Sequence, residues 1–292
     1  MNMREPLFTG VCTALVTPFL DDRVNYPMME LLLRRQIDAG VRTVVICGTT
    51  GEAPTLSDEE KLELFYRAKT YAGKDCLIIA GTGCNCTSHT AQLSMQAEKL
   101  DVDGLLIVSP YYNKASPEGL VAHYMTIAHT VSLPIIAYNV PGRTGVDIPV
   151  SVCKRLAPIP NVVGIKEASS DICKVTRICR DCPNFTVWTG NDDFIVPAIS
   201  LGAKGVISVL SNLVPVRTQA MANAALAGDW VTASALQRSF QGLVELLFCE
   251  PNPIPVKAAM RYIGYDCGSP RLPLTELSRE NKDRLKAALD EL

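Results

Sequence analysis

Several things are missing from this chain, and each absence removes a class of function. No apolar run is long enough to cross a membrane, because Gly, Pro or a charge interrupts each one within about ten residues. Neither sign of charge dominates. Lys and Arg number 28 against 30 Asp and Glu, for a net charge of −2. A basic face for nucleic acid and an acidic disordered tail are therefore not expected. An anionic substrate has to be held by local groups. Phosphate-binding glycine loops are missing as well: there is no G-x-x-x-x-G-K-[ST] and no G-x-G-x-x-G, and the fragment Gly81-Thr82-Gly83 is too short to count. Histidine is scarce at three residues, with no H-E-x-x-H, so His123 and His129 read as positions on one amphipathic helix. Cys179 and Cys182 form a C-x-x-C with Cys173 nearby, but no second pair completes a tetrahedral site. No metal is expected. The start, Met1 to Pro6, shows no cleavage pattern of a secretory leader. Eleven cysteines are scattered over the chain, Cys12, Cys47, Cys76 and Cys153 among them in apparent strands or helices. They read as free thiols, most simply in a reducing cytoplasm.

What is present is a hydrophobic fraction of 48% in 292 residues, enough for one large core. Short β-rich runs alternate with helical stretches. The strand candidates are 11–16, 44–46, 77–80, 104–108, 135–138, 162–166, 186–189 and 205–208. They are almost continuously apolar, as parallel strands covered on both faces are. Helical periodicity fills the gaps at 28–39, 57–72, 88–99, 117–130, 149–156, 172–179, 194–200 and 213–226. Ser57 with Glu60 reads as a capping box, and Pro117 and Pro149 suit a first helical turn. Eight such units predict an α/β fold, a (β/α)8 TIM barrel over residues 1–226. An open doubly wound sheet ranks second, since Thr17-Pro18-Phe19 stands where its phosphate loop belongs. After Gly228-Asp229 the strand pattern stops, and 230–248, 256–263 and 278–292 read as three helices of a C-terminal extension over 227–292.

In such a barrel the chemistry sits at the carboxyl ends of the strands. The second strand runs into Gly48-Thr49-Thr50-Gly51-Glu52, and the fourth into Ser109-Pro110-Tyr111-Tyr112-Asn113. The fifth ends in Tyr138 and leads to Arg143, the sixth ends in Lys166, the seventh leads to Gly190-Asn191-Asp192, and the eighth carries Ile207-Ser208. Lys166 is the most telling of these. An amine at the inner end of a buried strand loses solvation, which favours its neutral, nucleophilic form and imine formation with a carbonyl compound. The alternative is an ordinary ion pair between Lys166 and Glu167. Alternation along the strand puts Gly164 on the lysine's face, where it is expected to leave room beside the amine. Tyr138 on the adjacent strand can move protons at the carbonyl oxygen. Thr50 and a tyrosine after the fourth strand can pass them to solvent. The Gly48–Gly51 turn offers donors to a carboxylate, and Arg143 can clamp a second one.

These residues resemble the dihydrodipicolinate synthase / N-acetylneuraminate lyase family of Schiff-base aldolases. The resemblance runs from about Leu7 to the C-terminus. It rests on Gly48-Thr49-Thr50-Gly51-Glu52, Pro110-Tyr111-Tyr112-Asn113, Tyr138 to Gly145, Gly164-Ile165-Lys166-Glu167-Ala168, Gly205-Val206-Ile207-Ser208 and Pro251 to Lys257. It implies condensation of pyruvate with aspartate 4-semialdehyde, on the route to diaminopimelate and lysine, with no cofactor other than the covalent pyruvate imine on Lys166. In that scheme Tyr138 is the proton donor and acceptor, and Thr50 and Tyr112 complete a hydroxyl relay, Tyr112 reaching into a neighbouring subunit. Thr49 and Thr50 hold the pyruvate carboxylate, Arg143 holds the semialdehyde carboxylate, and Gly190 and Ile207 shape the pocket. Members that cleave sialic acids lack an arginine at position 143. Pyruvate-forming relatives acting on N-acetylneuraminate, 2-keto-3-deoxy sugar acids or 4-hydroxy-2-oxoglutarate are the alternative, and a barrel that only binds a small molecule is a third reading. The resemblance also implies a homo-oligomer, typically a tetramer built as a dimer of dimers. Asn85 and Tyr111 fit the effector pocket of lysine-inhibited members, whereas Ala53, Lys61 and His89 depart from it, so lysine is expected to inhibit weakly or not at all.

Overall fold

The computed structural model describes residues 5–291. Eight parallel strands close into a barrel: β1 (Gly10–Ala14), β4 (Thr43–Ile46), β5 (Leu77–Gly81), β6 (Gly104–Val108), β7 (Ile135–Asn139), β8 (Val162–Glu167), β9 (Thr186–Thr189) and β10 (Gly205–Ser208). Each pairs with its neighbour in sequence, and β1 closes the ring against both β4 and β10. The remaining two strands, β2 (Phe19–Leu20) and β3 (Arg23–Val24), form a small hairpin outside the barrel that the sequence pattern did not announce. The first barrel strand ends at Ala14 instead of Val16. Nearly every barrel-strand residue is buried, which is why these strands read as unbroken apolar runs.

Helices α1 (Tyr26–Asp38), α2 (Asp58–Ala72), α3 (Thr87–Glu98), α4 (Pro117–Ala128), α5 (Pro141–Thr144), α6 (Val150–Leu156), α7 (Ile172–Asp181), α8 (Ile195–Ser200) and α9 (Pro215–Leu226) surround the barrel. Local chemistry starts α2 and α4 where expected, whereas Pro149 stands one residue ahead of α6 as its N-cap. At α2 the Ser57 hydroxyl accepts from the Glu60 N–H (3.2 Å), while the Glu60 carboxylate accepts from the Ser57 N–H (3.0 Å). Proline opens α4 and α9, where its missing N–H costs nothing. The tight turn at Gly228 leads to α10 (Trp230–Leu247), which packs on α9; α11 (Ile254–Tyr262) and α12 (Arg279–Asp290) complete the fold. Among the described residues, no helix is long and apolar enough to cross a membrane.

The core has two layers. The larger lies between strands and helices. The smaller fills the barrel itself, with Cys12, Val45, Ile79, Leu106, Ile136, Trp188 and Ile207. Phe8 stoppers its lower end. Its ring stacks on Trp188 with centroids 4.8 Å apart, and its carbonyl accepts from the indole N–H (3.1 Å). The upper end, where strands finish, is left for polar groups.

Candidate active site

The register of β7 and β8 sets Tyr138 opposite Lys166 and Asn139 opposite Glu167. Successive residues face opposite ways, so one pair points into the barrel and the other toward the helices. The inward pair meets: the Lys166 amine lies 4.2 Å from the centre of the Tyr138 ring, and Lys166 is only 6% exposed. The outward pair forms its own polar network. Asn139 Nδ2 donates to both oxygens of Glu167 (3.0 Å each), and Lys174 Nζ lies 3.3 Å from Glu167 and 2.5 Å from Asp147. Glu167 therefore takes Lys174 as its cation, and the ordinary Lys166–Glu167 pair is ruled out by the side on which each projects.

One expectation needs correction. Gly164 does not make room beside the amine. A Cβ there would lie 2.1 Å from the Thr186 carbonyl oxygen and 2.8 Å from the Trp188 ring, so this glycine lets β9 and its tryptophan approach. The glycine that clears the lysine is Gly190, where a Cβ would sit 2.7 Å from Lys166 Cε. It reaches that place because the chain leaves β9 directly above β8. Ile207, on β10, belongs to the inner apolar layer below.

The Thr49-Thr50 turn follows β4 and is held from beneath. Glu52 sits in a left-handed backbone conformation at φ 57°, and its carboxylate is fully buried. Lys257 Nζ donates to Glu52 (2.7 Å) and to the Thr17 carbonyl (3.1 Å), and the Arg271 N–H donates to the second Glu52 oxygen (2.9 Å). Burial pushes the Lys257 amine below the usual lysine range, with Glu52 pulling it back. Above this pair, the Thr50 hydroxyl accepts from Asn252 Nδ2 (3.0 Å). The same Asn252 offers its backbone carbonyl to the Arg143 guanidinium (3.1 Å). Arg143 rides on the four-residue helix α5, which Pro141 opens and Gly145, at φ 70°, closes. Asn252 thus bridges the threonine turn and the arginine. In the sequence its only mark is an amide flanked by Pro251 and Pro253 at the entry to α11.

Asp192, after β9, ties two more strand ends together. One carboxylate oxygen accepts from the N–H groups of Val209 and Leu210 (2.9 Å each), and burial raises its carboxyl above the usual range.

Thr49, Tyr138 and Arg143 line one cavity of about 610 Å³, which extends to Asp58, Lys61, Cys84, Asn85, His89 and Tyr111. Thr50, next to Thr49, is buried. Tyr112 is the exception among the expected site residues. It is 90% exposed, holds a left-handed φ of 72°, and is not among the residues lining this cavity. Among the described residues, no group of three or more His, Cys, Asp or Glu side chains converges to hold a metal.

Fold and site define a (β/α)8 barrel with a buried amine packed against a phenol that lines a cavity, the class to which imine-forming aldolases belong. The chain belongs to the dihydrodipicolinate synthetase family, whose model matches residues 7–292. It is 43% identical over 288 residues, 98% of each chain, to the 4-hydroxy-tetrahydrodipicolinate synthase of Acetivibrio thermocellus. The dihydrodipicolinate synthase of Aquifex aeolicus superposes with a TM-score of 0.96 at 39% identity, covering 97% of this chain and 98% of that one. The enzyme from Cyanidioschyzon merolae, solved with lysine bound, superposes at 0.95 with 38% identity over 98% of each chain.

Proposed function

We propose that this protein is a 4-hydroxy-tetrahydrodipicolinate synthase, condensing pyruvate with aspartate 4-semialdehyde through an imine on Lys166. The observation that carries this reading is the buried Lys166 amine set 4.2 Å from the Tyr138 ring at the barrel's carboxyl end. The full-length relatives with that name support it.

The amine adds to the pyruvate ketone, and Tyr138 supplies and withdraws the protons as water leaves. The imine draws electrons from the methyl carbon, which loses a proton to give an enamine. That carbon attacks the aldehyde. The semialdehyde's own amino group then displaces Lys166, closing a ring and freeing the enzyme. Thr49 and Thr50 hold the pyruvate carboxylate, and Thr50 with Tyr112 of a neighbouring subunit relays protons outward. Arg143 receives the semialdehyde carboxylate, while Gly190 and Ile207 bound the pocket. A guanidinium there offers an anionic aldehyde a carboxylate partner that a neutral sugar tail does not supply. No cofactor beyond the substrate imine is required. The working form in this reading is a cytoplasmic homotetramer, a dimer of dimers.

Borohydride reduction in the presence of pyruvate tests the central claim: the expected adduct maps to Lys166 and disappears in Lys166→Ala. An intact, unmodified Lys166 after reduction removes the mechanism. Lysine is expected to inhibit weakly. Lys61 lines the cavity as a cation 3.4 Å from Asp58, and His89 occupies the other side of that carboxylate at 2.6 Å. A second ammonium meets repulsion there. Half-inhibition at submillimolar lysine in a steady-state titration refutes this.

A further inference from the structure

A second cluster of reactive groups lines the cavity away from Lys166. Cys86 is the N-cap residue of the 12-residue helix α3 and is exposed. The Ser88 hydroxyl lies 3.2 Å from its sulfur, and Ser88 and then the His89 N–H hold the thiol below the usual cysteine range. Helix N-termini favour thiolates in this way. Two residues earlier, Cys84 wraps around the backbone of Cys86: its sulfur accepts from the Cys86 N–H (3.3 Å) and lies 3.3 Å from the Cys86 carbonyl. The chain bends at Asn85 between them. A bend over two residues holds Cα atoms within roughly 5–7 Å, the span of a disulfide. His89 completes the group. Its Nε2 bonds Asp58 at 2.6 Å, and its Nδ1 stands 3.6 Å from the Cys84 sulfur. Asp58 fixes the proton on Nε2, leaving Nδ1 free to accept the Cys84 proton. The buried thiols contrast with this pair, since burial pushes Cys76, Cys153 and Cys267 up to about 12.

We propose that Cys84 and Cys86 form a hydroperoxide-responsive thiol pair, with Cys86 the attacking sulfur, Cys84 the resolving sulfur and His89 its base. The Cys86 thiolate bonds to one peroxide oxygen as the O–O bond breaks. The sulfur gives up two electrons, and the departing hydroxide takes a proton to become water. Cys84 then passes its proton to His89, and its sulfur displaces hydroxide from Cys86. The S–S bond forms, the S–O bond breaks, and hydroxide leaves as water with the proton from His89. Asn85 lies inside the new ring, and its carbonyl accepts from Asn113 Nδ2 (2.8 Å), anchoring the loop that carries Tyr111 and Tyr112. Closing the pair moves that anchor and slows turnover, a consequence that rests on the relay role proposed for Tyr112.

The test oxidises the reduced full-length protein with a few equivalents of hydrogen peroxide and maps all eleven cysteines by mass spectrometry. The expected result is loss of two hydrogens placed by fragmentation between Cys84 and Cys86, a fall in activity of about tenfold, and recovery with dithiothreitol. Cys84→Ser is expected to leave Cys86 as a sulfenic acid that dimedone traps, His89→Ala to slow closure without reducing that trapping, and Cys86→Ser to abolish both. Labelling of the exposed Cys173 ahead of Cys86, or a mass loss that survives Cys84→Ser, overturns the site. A closed pair with unchanged turnover overturns the coupling. The thiol mapping uses no pyruvate, so it stands or fails separately from the synthase reading.

Discussion

At the residue scale, the side chains that carry the proposed chemistry are those whose backbone neighbours leave them one direction to point. Lys166 and Tyr138 were legible because a polar group at the end of an apolar strand is conspicuous, and because alternation places both on the inner face. Asn252 was not legible in the same way, since its role depends on a loop 202 residues away from Thr50 folding onto it. With its amide donating to the Thr50 hydroxyl, the threonine's own proton is left free for a further acceptor. Asn252→Ala is expected to lower kcat by roughly 10- to 100-fold, in the range of a lost proton-transfer partner, while borohydride trapping of the pyruvate adduct on Lys166 persists. Loss of trapping in parallel with kcat contradicts a positioning role for Asn252. The Gly164 expectation failed for a related reason: alternation told which face the glycine shares, but the neighbour filling its missing Cβ is Trp188 from the next strand.

At the scale of elements, α3 and α4 are joined by a buried histidine. His123 on α4 is almost fully buried and lies 2.9 Å from the Thr87 hydroxyl at the start of α3. Burial lowers its value from 6.5 to about 4. The folded protein therefore binds fewer protons than the unfolded chain between those two values. Its stability contribution is complete above 6.5 and declines as pH falls toward 4, by on the order of 3 kcal/mol. Melting temperatures measured across that window are expected to fall for the native protein and to stay flatter for His123→Gln; parallel curves count against the histidine as the cause. The second structural device is the ion pair between the turn after β4 and α11. Glu52 and Lys257 are each about 1% exposed at the side chain. Removing one partner leaves a buried charge alone, so Lys257→Met is expected to cost about 3–5 kcal/mol in denaturant unfolding. Combining it with Glu52→Gln is expected to recover part of that loss, and strict additivity of the two changes contradicts the pairing. The capping box of α2 and the proline start of α4 were readable because they depend on residues within one helical turn. The hairpin at residues 19–24 and the short helix bearing Arg143 were not, because two- and four-residue elements carry no periodicity.

At the scale of the whole molecule, Tyr112 is the residue that one chain leaves unused. An aromatic side chain 90% exposed on a left-handed backbone has no packing reason to be there. Its proposed place in a neighbour's site gives a direct test. Lys166→Ala and Tyr112→Phe are each expected to be nearly inactive alone. Co-expressed, they form mixed dimers in which one site has a native lysine from one chain and a native tyrosine from the other. Random pairing is expected to restore about a quarter of native activity, from half the dimers with one working site each. Absence of any recovery shows that the tyrosine works within its own chain or not at all.

The amino-acid sequence by itself determined the barrel, its strand and helix alternation and the place of the buried amine proposed to react. Those properties follow from local periodicity and from the cost of burying a charge, both of which act over a few neighbouring residues. Tertiary structure alone decided which glycine clears the lysine, that Glu167 turns outward to Lys174, and that the C-terminal helices reach back through Asn252 and Lys257 to hold the threonine turn. These contacts join residues far apart in the chain, and the path that brings them together is set by closure of the whole barrel, to which no single segment's composition gives access.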